Sequence, residues 1–315
     1  MAPAARPKVT PPRPRNRGGH ALLLWSGILG VCLAALILTY MRYVEPPPPR
    51  AIVIASGSKT GAYYQFARRY ADELRKEGLA LDVRETAGSV ENLRLLADDR
   101  SGVAVAIVQS GVAGPDDCER LLALGSLYRE PLWVFYRGDR PLDRLSQLAG
   151  KRIGVGPPGS GTHAVAMQLL AANGLAESSA ADSRSRATLA NDPVTDAARA
   201  IRDGRLDAAF FVAAPEADYI RDLLHDQTVH LLSFAQQEAY HRRFRFLSAV
   251  TFPTGLVDLG QNVPTHDVAL LAPTAELVIR RDLHPALVPL LLTVATRVHA
   301  RGDELSRPGE FPSAA

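Results

Sequence analysis

The residues best placed to do chemistry in this sequence are small and uncharged, and they come in short runs. Ser56-Gly57-Ser58-Lys59-Thr60-Gly61, Thr86-Ala87-Gly88-Ser89 and Gly156-Pro157-Pro158-Gly159-Ser160-Gly161-Thr162 each follow an apolar run of strand character and precede a segment of helical spacing. Gln109-Ser110 ends a further apolar run. A helix that begins at such a turn leaves backbone N–H groups without partners and carries a partial positive charge, so the turn favours an anion. Small side chains let a ligand approach that backbone, and Ser and Thr hydroxyls add donors. Ser89 stands where it would cap a helix starting at Val90. In doubly wound sheets these turns lie at the carboxyl edge of the strands, where ligands sit. Each run alone reads more simply as a capped strand-to-helix loop. Together they describe a site for a carboxylate-bearing ligand.

Several resemblances to catalytic motifs fail on inspection. Gly154, Gly156 and Gly159 have the dinucleotide spacing, but Pro157 and Pro158 occupy the tight turn and no acid follows at the required distance. Gly156–Thr162 lacks the lysine of a phosphate loop, and Pro158 replaces the glycine that a nucleophile elbow around Ser160 would need. His163 beside Ser160 suggests a nucleophile and base, although a first-turn helix residue is the simpler reading. The eight histidines are scattered without metal-ligand spacing. No metal and no cofactor are expected. Of Tyr63 and Tyr64, one ring should join a helix core face and the other reach a cleft mouth, where a phenol can bond or stack on a ligand. Arg242-Arg243-Phe244-Arg245 reads as a solvated basic edge, or as a surface for a permease or phospholipid.

The elements that position these turns alternate from Ala51 onward. Ile52–Ala55, Leu81–Glu85 and Val103–Val108 read as strands, with helices over Tyr63–Lys76, ended by Gly78, and Val90–Ala97. This βαβαβ order is the signature of an open, largely parallel sheet. Strands follow at Leu121–Tyr128 and Leu132–Tyr136, then a polar break at Arg137–Arg140. A second unit starts with a strand at Lys151–Val155 and a helix at Thr162–Ala172. It continues with a helix at Thr195–Arg202, strands at Leu206–Val212 and Val229–Phe234, and a helix at Asp218–Leu224. Val268–Leu271 with Leu277–Ile279 returns the chain toward the first unit, and Pro285–His299 closes it as a helix. More than one crossing between two α/β units predicts two lobes around a cleft, a place where small ligands bind with hinge closure. Ala176–Asp192, rich in Ala, Ser, Asp and Arg, is expected to be a solvated loop or weak helix.

Composition sets the outer limits. The 315 residues are 47% hydrophobic and 22% charged, which excludes disorder as the main state, and two cysteines exclude a disulfide scaffold. Residues 1–50 carry seven basic side chains and one acid, so the remaining 265 carry a net −3 of the chain's +3. With the basic excess confined to the N-terminus, no nucleic-acid partner is expected. Gly18–Met41 has no charge, and the run Ala21–Tyr40 would span about 30 Å as a helix, the thickness of a bilayer core. Five basic residues and no acid precede it, which places the N-terminus in the cytoplasm and the body outside. A cleaved signal peptide is the competing reading, but large residues, Thr39-Tyr40-Met41-Arg42-Tyr43, stand where small ones would be needed. Pro46–Pro49 should form a stiff spacer.

Five ordered runs then resemble one family. SGSKTGAYYQFARRYADEL, TAGSVENLRLL, VAVAIVQSGVA, LGSLYREPLWVFYR and LAGKRIGVGPPGSGTHAVAMQLL are similar to the TAXI solute receptors of TRAP transporters, over about Ile52–His299. The resemblance implies a two-lobed α/β periplasmic binding protein of type II-like, Venus-flytrap form, here with an N-terminal transmembrane helix. It implies capture of a small organic anion, an acidic amino acid or dicarboxylate, for TRAP-type permease subunits. Carried over by motif, Ser56, Gly57, Tyr64, Ser89, Asn92, Gln109 and Ser110 would line the site from the first lobe, with Lys59 as a charge partner. Ser160, Gly161 and Thr162 would line it from the second. The expected layout is a basic cytoplasmic tail at 1–20, an inner-membrane anchor at 21–41 and a linker at 42–50. Lobe I is expected at 51–137 with a return segment at about 266–306, lobe II at 138–265, and a frayed tail at 307–315. A sensor ectodomain of the same fold is the alternative function, and a serine hydrolase using Ser160 and His163 a more distant one. The leading expectation is a binding protein that does no chemistry.

Overall fold

The uncharged N-terminal run folds as one helix, α1 (Arg17–Tyr43), in a computed structural model that describes residues 17–43, 46–176 and 187–314. Large apolar side chains from Leu24 to Met41 are exposed, and Leu24–Arg42 is long and apolar enough to cross a membrane. The helix belongs to a unit of its own, and the body begins at Pro49. Most of the basic tail expected at 1–20, and residues 177–186 of the expected loop, lie outside the described residues.

The first lobe opens with β1 (Ala51–Ala55), α2 (Ala62–Lys76), β2 (Ala80–Arg84), α3 (Ser89–Ala97) and β3 (Val103–Gln109). A short α4 (Asp117–Arg120) then leads into β4 (Leu121–Arg129). The second lobe comprises β5 (Leu132–Tyr136), β6 (Arg152–Gly154), α5 (Gly161–Ala172), β7 (Thr188–Ala190), α6 (Val194–Arg202) and β8 (Ala208–Val212). It continues through α7 (Asp218–His225), β9 (His230–Leu231), α8 (Gln237–Arg243), β10 (Ser248–Phe252) and β11 (Val268–Ala272). The chain returns to the first lobe with β12 (Thr274–Arg280) and α9 (Leu287–His299).

Two sheets result, ordered β2-β1-β3-β12-β4 and β10-β11-β5-β8-β6-β7, with β9 beside β5. The pairs β1–β2, β1–β3, β6–β7 and β6–β8 are parallel, whereas β12 and β5 run antiparallel to their neighbours. Each sheet is buried on both faces, as parallel strands covered by helices must be. In the first, Ile54 and Ile107 pack with Tyr70 and Leu74 of α2 and Leu291 of α9, while Ala55 and Val108 meet Leu93 and Leu96 of α3. In the second, successive residues of β5 alternate between two cores: Val134 and Tyr136 join Leu169 and Phe210, and Trp133 and Phe135 join Ile201 and Phe252.

The lobe boundaries differ from the expected ones. β5 was expected in the first lobe yet belongs to the second sheet, and β11 does as well, so only β12 makes the return. The crossings fall at Pro131 and Pro273, residues with no N–H to give a ladder, which is why the sheets part there. The two crossing strands are tied side by side, Glu130 N donating to the Pro273 carbonyl at 2.9 Å. The C-terminal tail is not frayed. Ser126 and Ser313 exchange backbone hydrogen bonds at 2.8 and 3.0 Å, Arg129 pairs with Glu310 at 2.6 Å, and Phe311 is buried. Further back, Leu305 packs on the second lobe's core and Glu304 pairs with Arg221 of α7, so the tail touches both lobes. The Arg242–Arg245 cluster lies on and after α8, where Arg242 pairs with Glu238 one turn earlier.

Candidate functional site

The short runs singled out in the sequence converge because each ends a strand at one edge of its sheet. A cavity of about 640 Å³ opens between the lobes there. From the first lobe it is lined by Gly57, Tyr63 of α2, Ser89 at the start of α3, and Gln109 at the end of β3. From the second it is lined by Ser160, Gly161 and Thr162 at the start of α5, and by Val212 and Tyr219. The two sets of turns touch directly. Val90 N donates to the Gly159 carbonyl at 3.2 Å, and Gln109 Nε2 to the Gly161 carbonyl at 3.2 Å. Glycine is required on both sides of this contact. Gly88 has φ +124°, a left-handed conformation that L side chains rarely adopt, and a Cβ on Gly161 would run into the Gln109 carboxamide.

Of the residues expected at the site, Gly57, Ser89, Gln109, Ser160, Gly161 and Thr162 line the cavity, and the other five do not. Ser56 is fully buried, its hydroxyl donating to the Arg84 carbonyl at 2.9 Å. Asn92 is equally buried, giving its Nδ2 protons to the Ser56 and Ile107 carbonyls and receiving the Thr86 hydroxyl at 2.6 Å. It staples the first two cleft turns from beneath. Ser110 Oγ accepts from Thr274 N at 2.9 Å and donates to the Phe246 carbonyl of the second lobe at 3.2 Å, a joint at the crossing strands. Lys59 points to solvent and pairs with Glu85 at 3.5 Å. Tyr64 is the wrong ring of its pair. The buried face of α2 is Ala67, Tyr70, Ala71 and Leu74, and Tyr63 lies one turn before Ala67 on that face, over the cavity.

Ser160 and His163 do not form a nucleophile–base pair. Ser160 Oγ caps α5 by accepting from His163 N at 3.2 Å and donates to the Pro157 carbonyl at 2.7 Å, while His163 Nδ1 bonds the Gly156 carbonyl at 3.1 Å. Thr162 Oγ1 accepts from Val212 N at 3.1 Å, fixing α5 against β8. Among the described residues, no group of three or more His, Cys, Asp or Glu is arranged to hold a metal ion.

Sequence reasoning missed the far end of the cavity. Glu130, the last residue before Pro131, is buried there and accepts the Tyr63 hydroxyl at 2.6 Å and the Tyr128 hydroxyl at 3.4 Å. Burial pushes its carboxyl up to about 7, against the opposing pull of the two tyrosine hydrogen bonds. Burial and the nearby carboxylate hold both tyrosines well above the ordinary phenol range. His299 bonds Tyr70 Oη at 3.0 Å and stacks on Tyr128, and burial, helped by Arg69, pushes it down to about 4. The tail adds Arg301, Asp303, Ser306 and Phe311 to the lining. Glu130 carried one available signal: a lone acid in the apolar stretch Leu127-Tyr128-Arg129-Glu130-Pro131-Leu132-Trp133.

Three solved structures share the fold. A protein from Bordetella bronchiseptica aligns at 17% identity and TM-score 0.53, covering 79% of this chain and 71% of its own. An ATP-bound protein from Xanthomonas citri aligns at 15% identity and TM-score 0.51, covering 78% and 82%. An ancestral arginine-binding protein with bound arginine aligns at 10% identity and TM-score 0.50, covering 82% and 96%. The two-sheet α/β body thus has the fold of periplasmic solute-binding proteins. Over residues 54–294 the chain matches the NMT1-like family, and it belongs to that family.

Proposed function

We propose that this protein is a membrane-anchored, extracytoplasmic solute receptor that captures a small organic anion between its lobes and does no chemistry on it. The observation that carries this reading is the cavity of about 640 Å³ walled by strand-to-helix turns of both lobes, with α3 and α5 starting at its edge. Two helix N-termini and small-residue turns suit a carboxylate. Arg69 and Arg301, exposed at the lining, add positive charge. Two crossing strands allow the lobes to hinge, and a ligand that bridges Ser89 and Gly161 would favour the closed form by its differential contacts. The motif similarity to TAXI receptors supports a TRAP-type permease as recipient, and α1 supports tethering to the inner membrane beside it.

A thermal-shift screen of the full chain in detergent, against acidic amino acids, dicarboxylates, 2-oxoacids and sugars, tests the reading. A ligand at 100 times its Kd should add about 2.7 kcal/mol, or roughly 5–10 °C for a chain of this size. A shift confined to one anion class supports the receptor. No shift with any anion, from protein shown by mass spectrometry to be free of ligand, rejects it.

A further inference from the structure

We propose that Glu130 is the counter-charge for a cationic group on the ligand, so that this receptor takes a zwitterion whose anionic end lies on the glycine–serine turns and whose cationic end lies against Glu130. The inference rests on the receptor reading above and narrows its ligand class.

Glu130 is 4% exposed and lines the cavity, yet no Lys, Arg or His among the described residues forms an ion pair with it. A buried carboxylate without a positive partner is costly, and such groups are retained where something compensates the charge. Its side-chain partners among the described residues are the Tyr63 and Tyr128 hydroxyls, and both donate to it. A carboxylate has roughly four acceptor positions, so two donors leave room for more. Tyr63, Tyr128 and Tyr219 line the same cavity, and aromatic rings beside a carboxylate are suitable surroundings for an ammonium group.

The opposite pole is built into the same wall. α3 begins at Ser89 and α5 at Gly161, so two positive helix ends lie at the cavity wall, with Val90 N held by the Gly159 carbonyl and His163 N by Ser160 Oγ. The Tyr63 hydroxyl, hydrogen-bonded to Glu130 and close to Ser89, stands between the two poles. A second observation points to a ligand independently. Ser306, 7% exposed and part of the lining, has a buried Oγ with no hydrogen-bond partner among the described residues. The carboxyl's raised value, near neutrality, fits a group that ionises fully only when a cation arrives.

Titration calorimetry of the full chain in detergent tests this with matched pairs: glutamate against glutarate, leucine against 4-methylpentanoate, and β-alanine against propionate. At least one amino acid should bind about 10- to 100-fold more tightly than its deaminated partner, the span expected for one charged hydrogen bond. Glu130→Gln, which keeps the shape and two acceptor positions, should weaken that amino acid by a similar factor and leave the deaminated acid unchanged or tighter. A deaminated acid that binds as well as its amino partner overturns the inference while the receptor reading stands. So does an amino acid held equally by the wild type and Glu130→Gln. The wild-type pairs decide the matter even if the variant fails to fold. Failure of every compound in both sets overturns this inference, whereas the receptor reading falls only with the wider anion screen.

Discussion

Glu130 also governs stability. Its carboxyl, ordinarily near 4.5, is raised to about 7 by burial, so between those values the folded chain holds a proton that the unfolded chain has released. Stability is therefore lost as pH rises through this window, by about 3 kcal/mol at most. His299 acts in the opposite sense. Burial lowers it from 6.5 to about 4, so its contribution is lost as pH falls from 6.5 toward 4. A wild-type profile superposes these slopes and can look flat. The comparison with Glu130→Gln separates them: denaturant unfolding should show the variant gaining about 2 kcal/mol on the wild type between pH 5 and pH 8. Parallel profiles would mean that Glu130 ionises as an ordinary surface acid, and the unpaired buried charge would be an illusion of the packing.

Legibility at the level of elements followed from how local each signal is. Strands β1, β3 and β8 and helices α2, α5 and α9 are long and periodic, and the sequence places them within a few residues of their observed ends. The cleft turns were legible only in combination, since glycine and serine between a strand and a helix serve equally as an ordinary capped loop. Ser56 and Ser110 were not separable from Gly57 and Gln109, because direction alternates along an extended backbone and neighbours of like chemistry face opposite ways. Asn92 shares a helix face with Ser89, and only its burial under the turns tells them apart. The lobe boundary was expected at the polar break Arg137–Arg140, the louder signal in the sequence, while the change of sheet is marked only by Pro131 and Pro273 between separate apolar runs. The tail was misread because its composition is that of a loose end, while its partners Ser126 and Arg129 lie far away in sequence. That docking yields a prediction. Ending the chain after Ala300 removes the buried Phe311, the half-buried Leu305 and the Arg129–Glu310 and Arg221–Glu304 pairs. Two apolar side chains alone are worth about 3–5 kcal/mol. Urea unfolding should show a loss of at least that size, and limited proteolysis of the intact chain should spare residues 301–314. A truncated chain as stable as the original would show that the tail is an appendage.

At the scale of the whole molecule the charge is divided, with a net positive first fifty residues and a net −3 on the rest. Such a division has little meaning for a freely soluble receptor and a direct one for a tethered receptor. On the proposed reading, basic residues ahead of an apolar helix would hold the N-terminus on the cytoplasmic side; the side chains of α1 from Leu24 to Met41 are exposed, which water would penalise and lipid would not. On that reading, the receptor would serve what lies within reach of its tether. Membrane fractionation of cells that produce the full chain, with tags at both ends, checks this. The protein should stay with the membrane through a high-salt and alkaline wash. In spheroplasts, added protease should remove the C-terminal tag and spare the N-terminal one. Recovery of the C-terminal tag in the soluble periplasmic fraction, on a chain shortened by about 4 kDa, would mean that the helix is a leader that is cut away. The receptor would then diffuse to its permease, and selection for α1 would concern export alone.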